Sequence, residues 1–170
     1  LPPCSGVLVR PFFASTLQHK IEDIVGTGRA AEVAGHFKVL EGKRFLAAED
    51  NFLNAGILTE LLELEGATVE IVENGQLAVE RFEQASPGEF DAILMDVQMS
   101  VMNGHAAARA IRALDRADAR TIPIIAMTAD AFVEDEKAAL AAGMNAHVAK
   151  PLEIDDLKRA VDRHVEKGRA

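Results

Sequence analysis

The chain has 170 residues, 49% of them hydrophobic and 26% charged, which suits one globular domain with a short extra segment and excludes a wholly disordered polypeptide. Its 18 basic and 27 acidic residues give a net charge of −9, which argues against a nucleic-acid binder that works by displacing counterions from phosphates. The single cysteine, Cys4, rules out an intramolecular disulfide framework or a cysteine-based zinc site. No uncharged apolar run approaches the roughly 18 residues of a membrane span, and no basic-then-apolar leader is visible. The chain starts at Leu1 rather than Met and reads as a piece of a longer protein. Its charge is uneven: residues 1–40 sum to +1 and the other 130 carry −10.

From residue 43 short apolar runs alternate with helix-length amphipathic stretches. Arg44–Ala48 (RFLAA) predicts a strand that runs into Glu49, Asp50 and Asn51. Leu53, Ile57, Leu61 and Leu64 recur at steps of four, four and three and predict one helical face, and Gly66 stops that helix where a left-handed residue is needed. Thr68–Val72 (TVEIV) predicts a second strand, and Asn74-Gly75 a turn. Residues 76–85 predict a helix with Leu77, Ala78 and Phe82 inward, ended by Ser86-Pro87-Gly88. Residues 90–95 (FDAILM) predict a third strand, apolar almost throughout, as for a strand buried on both faces.

The alternation continues past a turn at Met102-Asn103-Gly104. Residues 105–114 predict a helix with Ala108, Ile111 and Leu114 on one side. Residues 122–127 predict a fourth strand, with Pro123 at its entrance because proline removes a ladder donor. Residues 130–142 predict a helix capped by Gly143. Ala146–Ala149 predicts a short fifth strand, followed by Lys150-Pro151. Ile154, Leu157, Val161 and Val165 form the stripe of a last helix. Five strands alternating with helices predict an α/β fold: a doubly wound, five-stranded parallel sheet with helices on both faces.

Ligands of such sheets sit at the carboxyl ends of the strands. The residues there are Glu49 and Asp50 after the first strand, Asp96 after the third, Thr128 after the fourth and Lys150 after the fifth. Each alone is ordinary: a carboxylate after a strand is commonly a helix cap or a solvated loop residue, Thr128 suits an N-cap, and Lys150 suits a surface. Their joint placement is not. Like charges at about 4 Å repel by roughly 4 kcal/mol at an effective dielectric near 20, and a bound cation removes that penalty. A partly open, all-oxygen site suits Mg²⁺. Lys150 and Thr128 remain to receive an anion beside the metal, and a phosphoryl group fits. Asp96, at the centre, is then the nucleophile that forms an acyl phosphate.

These residues carry a resemblance. FLAAEDN, AILMDVQMSVMNG, IPIIAMTADA and NAHVAKPL resemble the receiver domain of two-component response regulators (the CheY-like, flavodoxin-like fold). Their wording is most similar to receivers at the C-termini of hybrid sensor histidine kinases. The resemblance implies that Asp96 accepts phosphate. It implies that Asp50 and Asp96 ligate Mg²⁺ directly, Glu49 largely through water, and Gln98 through its backbone carbonyl. It implies that Thr128 and Lys150 contact the phosphoryl oxygens, that small Ala129 leaves room for the group to enter, and that Lys150-Pro151 is cis. Gln98 and Asp130 would flank the entry path and tune hydrolysis.

Three positions depart from the family pattern. Ser100 stands where a proline is usual, so that loop is expected to be looser. Phe52 stands where hybrid receivers often have proline. The switch position, three before the lysine, is His147 rather than Tyr or Phe, which would add pH sensitivity to the switch. None of the three removes a chemical group from the site.

The first residues resemble the chain's own end. Leu8-Val9-Arg10-Pro11 with Leu17 and Ile21 lines up, at an offset of 140, with Val148-Ala149-Lys150-Pro151, Leu157 and Val161, a partial internal repeat. The expected organisation is a strand-helix remnant of an upstream, degenerate receiver over 1–27, a linker over 28–40 and a receiver over 41–170. The remnant's apolar face is expected to dock on the receiver or on a second copy, making a homodimer.

The expected function is transfer of a phosphoryl group from phosphohistidine to Asp96 in a Mg²⁺-dependent way, followed by slow self-dephosphorylation. The expected parent is a hybrid sensor histidine kinase, cytoplasmic in this part and free to be membrane-anchored elsewhere. Expected partners are a histidine kinase core in cis and a histidine phosphotransfer protein, with neither nucleic acid nor membrane contacted by this segment. The alternatives are a stand-alone or sink receiver, or a docking module that never carries phosphate. A phosphatase of the haloacid dehalogenase type would need an acid where Gln98 stands, and an FMN module would need a Ser/Thr/Gly-rich phosphate loop where EDNFLN stands.

Overall fold

The computed structural model describes residues 39–129 and 133–165. The strand-helix remnant expected over 1–27 and nearly all of the linker over 28–40 lie outside the described residues, as does Asp130.

The five expected strands are present: β1 (Arg44–Ala48), β2 (Thr68–Val72), β3 (Ala92–Asp96), β4 (Ile124–Thr128) and β5 (Ala146–Ala149). They form one parallel sheet in the order β2-β1-β3-β4-β5. The helices are α1 (Phe52–Leu64), α2 (Gly75–Gln84), α3 (Gly104–Ala113), α4 (Val133–Ala141) and α5 (Ile154–Val165). β3 and β4 are buried along their whole length, as is β1 after its first residue. The two edge strands are partly exposed. Order therefore follows hydropathy, because a strand with neighbours on both sides and helices on both faces has no polar side to offer.

Alternation along the strands divides the core in two. Phe45, Ala47, Ala92, Leu94, Ile125, Met127 and Val148 pack against α1 and α5. Leu46, Ala48, Ile93, Met95, Ile124 and Ala126 pack against α2, α3 and α4. Lys158 Nζ of α5 meets Glu65 Oε2 at 2.6 Å, joining the two helices of the first face. On the other face Arg112 donates to the carbonyls of Gly143 and Ala119 and to Asn145 Oδ1, tying α3 to the entry of β5.

The structure corrects several expectations. The buried face of α1 is Ala55, Leu58 and Leu62, so the line Leu53, Ile57, Leu61, Leu64 points outward or sideways, with both of its ends exposed. In α2, Ala78 and Phe82 are inward but Leu77 is exposed. In α3 the buried set is Ala107, Ala108 and Ile111, with Leu114 at the cap. β3 and β4 begin two residues later than hydropathy suggests, because Phe90 and Ile122 are buried from loop positions. Pro123 immediately precedes β4, at the expected entrance. Gly66 (φ 77°) and Gly143 (φ 92°) take the left-handed conformation expected of helix-stopping glycines.

Candidate active site

The site is built from four loops at the carboxyl ends of the strands. β1 ends at Ala48 and delivers Glu49, buried, and Asp50, exposed. Asn51 then caps α1, its side chain accepting from the Leu53 and Asn54 N–H groups at 3.0 and 3.2 Å, a standard use of asparagine at a helix start. The same turn fixes Glu49: its Oε1 accepts from Asn51 N and from Asn54 Nδ2, both at 3.2 Å.

β3 ends on Asp96, which is buried. Its Oδ1 accepts from the Gln98 N–H at 3.0 Å and its Oδ2 from Lys150 Nζ at 2.7 Å. Lys150 Nζ also donates to Glu49 Oε2 at 2.7 Å, so one ammonium bridges two carboxylates from different strands. Lys150 follows β5, its N–H bonds the Thr128 carbonyl at 2.7 Å, and the Lys150-Pro151 bond is cis. Thr128 is the last residue of β4 and is buried.

Glu49, Asp50 and Asp96 each offer an oxygen, and these atoms all lie within 4.8 Å of one another. Burial pushes the Asp96 carboxyl above its ordinary range, against the opposing pull of Lys150 and of the Gln98 N–H. Burial opposes the Lys150 charge as well, but bonds to Asp96 and Glu49 outweigh it and hold its pKa above the ordinary value. Three clustered carboxylates with a single internal cation are under-neutralised. Their hard oxygens are too few for a closed calcium cage and match an ion that keeps part of its water shell.

The loop after β3 completes the rim. Ser100 keeps an N–H that a proline would lack, and it donates to Asp50 Oδ2 at 3.3 Å. Met102 N bonds Ser100 O at 2.7 Å, closing a γ-turn around Val101, whose φ is +65°. Gly75 N in turn bonds the Met102 carbonyl at 3.1 Å. The loop expected to be loose is thus tied to both neighbours.

A family model described as "Response regulator receiver domain" matches residues 45–162. The chain belongs to this family. The hybrid signal transduction histidine kinase M of Dictyostelium discoideum is 41% identical over 109 residues, 64% of this chain and 4% of that protein. This chain spans only 4% to 18% of the length of eight curated relatives it matches, all of them named as histidine kinases or sensor proteins. Among solved structures, the receiver domain of sensor histidine kinase PA1611 from Pseudomonas aeruginosa is 38% identical with a TM-score of 0.66. The match covers 74% of this chain and 98% of that one, and that structure holds a magnesium ion in its active-site cleft. A co-crystal of the Saccharomyces cerevisiae phosphotransfer protein Ypd1 with the receiver domain of Ssk1 matches at 26% identity and a TM-score of 0.65, over 76% of this chain and 93% of that one.

In this receiver Glu49, Asp50, Asp96 and Lys150 converge as expected. Thr128 ends the neighbouring strand at the same pole of the sheet. Gln98 touches Asp96 through its N–H. Ala129 is exposed beside Thr128. His147 is half-buried on β5 and lies elsewhere: it lines a groove of about 360 Å³ with α4 and α5, its Nδ1 3.9 Å from Glu136 Oε1. Sequence reasoning missed Asn54, Gly104 and the Ser100 N–H. Gly104 had a signal in the Asn103-Gly104 turn, whereas a single asparagine inside a helix and a backbone donor leave none.

Proposed function

We propose that this receiver accepts a phosphoryl group from phosphohistidine onto Asp96. The observation that carries the reading is the three-way junction at Lys150: one ammonium bonded to Asp96 and Glu49, with Asp50 alongside. Asp96, a buried carboxylate beside exposed Asp50, would attack a phosphorus atom arriving over the loops that follow the strands. In the transfer, an Asp96 carboxylate oxygen forms a bond to phosphorus while the phosphorus–nitrogen bond of the donor breaks. That bond's electron pair returns to the imidazole. Lys150 and Thr128 would hold two of the equatorial oxygens, and catalysis is mainly positioning and electrostatics.

Glu49, Asp50, Asp96 and the Gln98 carbonyl would hold magnesium, which when bound supplies positive charge beside the entering phosphoryl oxygens. Ala129 is small enough to leave the entry open, and Gln98 and Asp130 would tune the later hydrolysis. The relatives support a donor class: in our reading the receiver belongs to a hybrid histidine kinase, taking phosphate from a kinase core in cis or exchanging it with a phosphotransfer protein, on the cytoplasmic side. Among the described residues no helix is long and apolar enough to cross a membrane.

The test is labelling by radioactive phosphoramidate with magnesium. The expected result is a hydroxylamine-sensitive label on the unsubstituted chain that is lost in Asp96→Asn and in excess chelator. Label that persists in Asp96→Asn overturns the assignment.

A further inference from the structure

Glu49 carries its carboxylate at the end of a side chain with three rotatable bonds, yet both oxygens are held. The side chain is 1% exposed. Oε1 accepts from the Asn51 N–H and from Asn54 Nδ2, both at 3.2 Å. Oε2 accepts from Lys150 Nζ at 2.7 Å. Lys150 is shared with Asp96, and the Asn51 donor is backbone. The Asn54 carboxamide is therefore the side chain that fixes Glu49 without itself bonding to the Asp96 carboxylate.

Helix stability does not explain this asparagine. Asn54 is half-buried and stands third in α1. Its N–H is already taken by the Asn51 cap at 3.2 Å, so its side chain has no part in capping. Asparagine is a poor helix former, and the first turn of a helix favours acidic groups, with Glu or Gln common at this third position. α1 has no acidic residue in its first turn. An acid at residue 54 would set a like charge against Glu49 and remove the donor that Glu49 Oε1 uses.

We infer that Asn54 is a positioning residue for phosphoryl transfer: it pins Glu49, and through Glu49 it keeps Lys150 in the crevice. The inference rests on the phosphoacceptor reading above. In that reading the bond from Asp96 to phosphorus removes negative charge from the Asp96 carboxylate. Asp96 then loosens its hold on Lys150 just as that ammonium turns to a phosphoryl oxygen. Glu49 is the anchor that remains, and its bond to Lys150 is the one Asn54 steadies. An anchor free to change rotamer lets the ammonium drift, and a misplacement of about 1 Å can cost on the order of a hundredfold in rate. Two donors on Oε1 remove that freedom before the reaction begins, which is the advantage of preorganised charge.

The experiment is a double-mutant cycle on the full 170-residue chain, pairing Asn54→Leu with Glu49→Ala. Leucine matches asparagine in size and is the better helix former; Asn54→Ala repeats the cycle with a smaller side chain. The rate of labelling by phosphoramidate is read at magnesium concentrations that saturate each variant. Asn54→Leu should slow labelling about tenfold where Glu49 is present. In the Glu49→Ala background it should change the rate by less than about twofold, because the group it acts through is gone. NMR of the metal-free chain gives a readout apart from activity: the Glu49 carboxylate carbon and the Lys150 ammonium nitrogen should both shift in Asn54→Leu. An unchanged labelling rate in Asn54→Leu and Asn54→Ala overturns the inference. So does an equal fall with and without Glu49, which would mark a general effect on the fold, and so do unmoved Glu49 and Lys150 signals. An unsubstituted chain that takes no label overturns the phosphoacceptor reading instead, and the two NMR signals then still decide whether Asn54 pins Glu49.

Discussion

Gly104 packs against the backbone carbonyl of Asp96 so closely that a Cβ at residue 104 would overlap that oxygen and press on the Met95 side chain. The atom in the way is backbone, so it cannot swing aside as a flexible side chain would. Gly104→Ala should therefore displace the end of β3, costing about 1–3 kcal/mol, as overpacking does. Urea denaturation measures the cost, and labelling by phosphoramidate should slow in the same variant because the phosphoacceptor moves.

Lys150 is the internal counter-ion of Glu49 and Asp96, and its side chain is largely buried. Removing one partner of such a cluster leaves uncompensated charge, at a cost of about 3 kcal/mol or more. Lys150→Ala should melt well below the unsubstituted chain without divalent ions and recover more of its stability on adding magnesium. Its phosphoramidate labelling should fall at least a hundredfold. Thermal melting with and without magnesium checks the first two expectations.

Asp50 is exposed and accepts a long hydrogen bond, 3.3 Å, from the Ser100 N–H, so the fold depends little on it. Asp50→Ala should leave the melting temperature without metal within a few degrees and weaken magnesium binding by tenfold or more, read by amide shifts in an NMR titration. Manganese should broaden the Asp96 and Gln98 signals in the unsubstituted chain and not in the variant at the same concentration.

Arg116 holds Asp118 through two hydrogen bonds of 2.5 and 2.8 Å, bonds the carbonyls of Phe82 and Ala85, and stacks over the Phe82 ring. The Arg116 guanidinium holds the Asp118 carboxyl below its ordinary range. A depressed carboxyl pKa contributes stability above the unfolded value, near 3.9, and loses it as pH falls through the folded value. Asp118→Asn should be less stable at pH 7 by on the order of 1 kcal/mol after solvent screening. The gap to the unsubstituted chain should narrow as pH falls below the ordinary carboxyl range, as measured by denaturation at a series of pH values.

Most of the site was legible because parallel strands buried on both faces read as plain apolar runs, and the residue that ends each run is the one at the crevice. Asp96 and Thr128 close β3 and β4 themselves rather than following them, a shift too small to move either from the site. α1 misled for the opposite reason. When a helix is apolar all round, periodicity cannot choose between Leu53–Ile57–Leu61–Leu64 and Ala55–Leu58–Leu62, and only the position of the sheet decides. The arginine networks at Arg112 and Arg116 join positions far apart in the chain, which local patterns do not encode. Ser100 shows a further limit: sequence registers the missing proline ring but not where the regained N–H points.

Leu40, where the described fold is entered, and Val165, where it is left, are buried in the same half of the core. Leu40 O bonds Lys43 N just before β1 begins, and Val165 lines a small hollow with Asp91 and Pro123, which precede β3 and β4. Both residues therefore sit at the amino ends of the strands, the pole opposite Asp96. An approach to Asp96 therefore leaves Leu40 and Val165 where they are in the core.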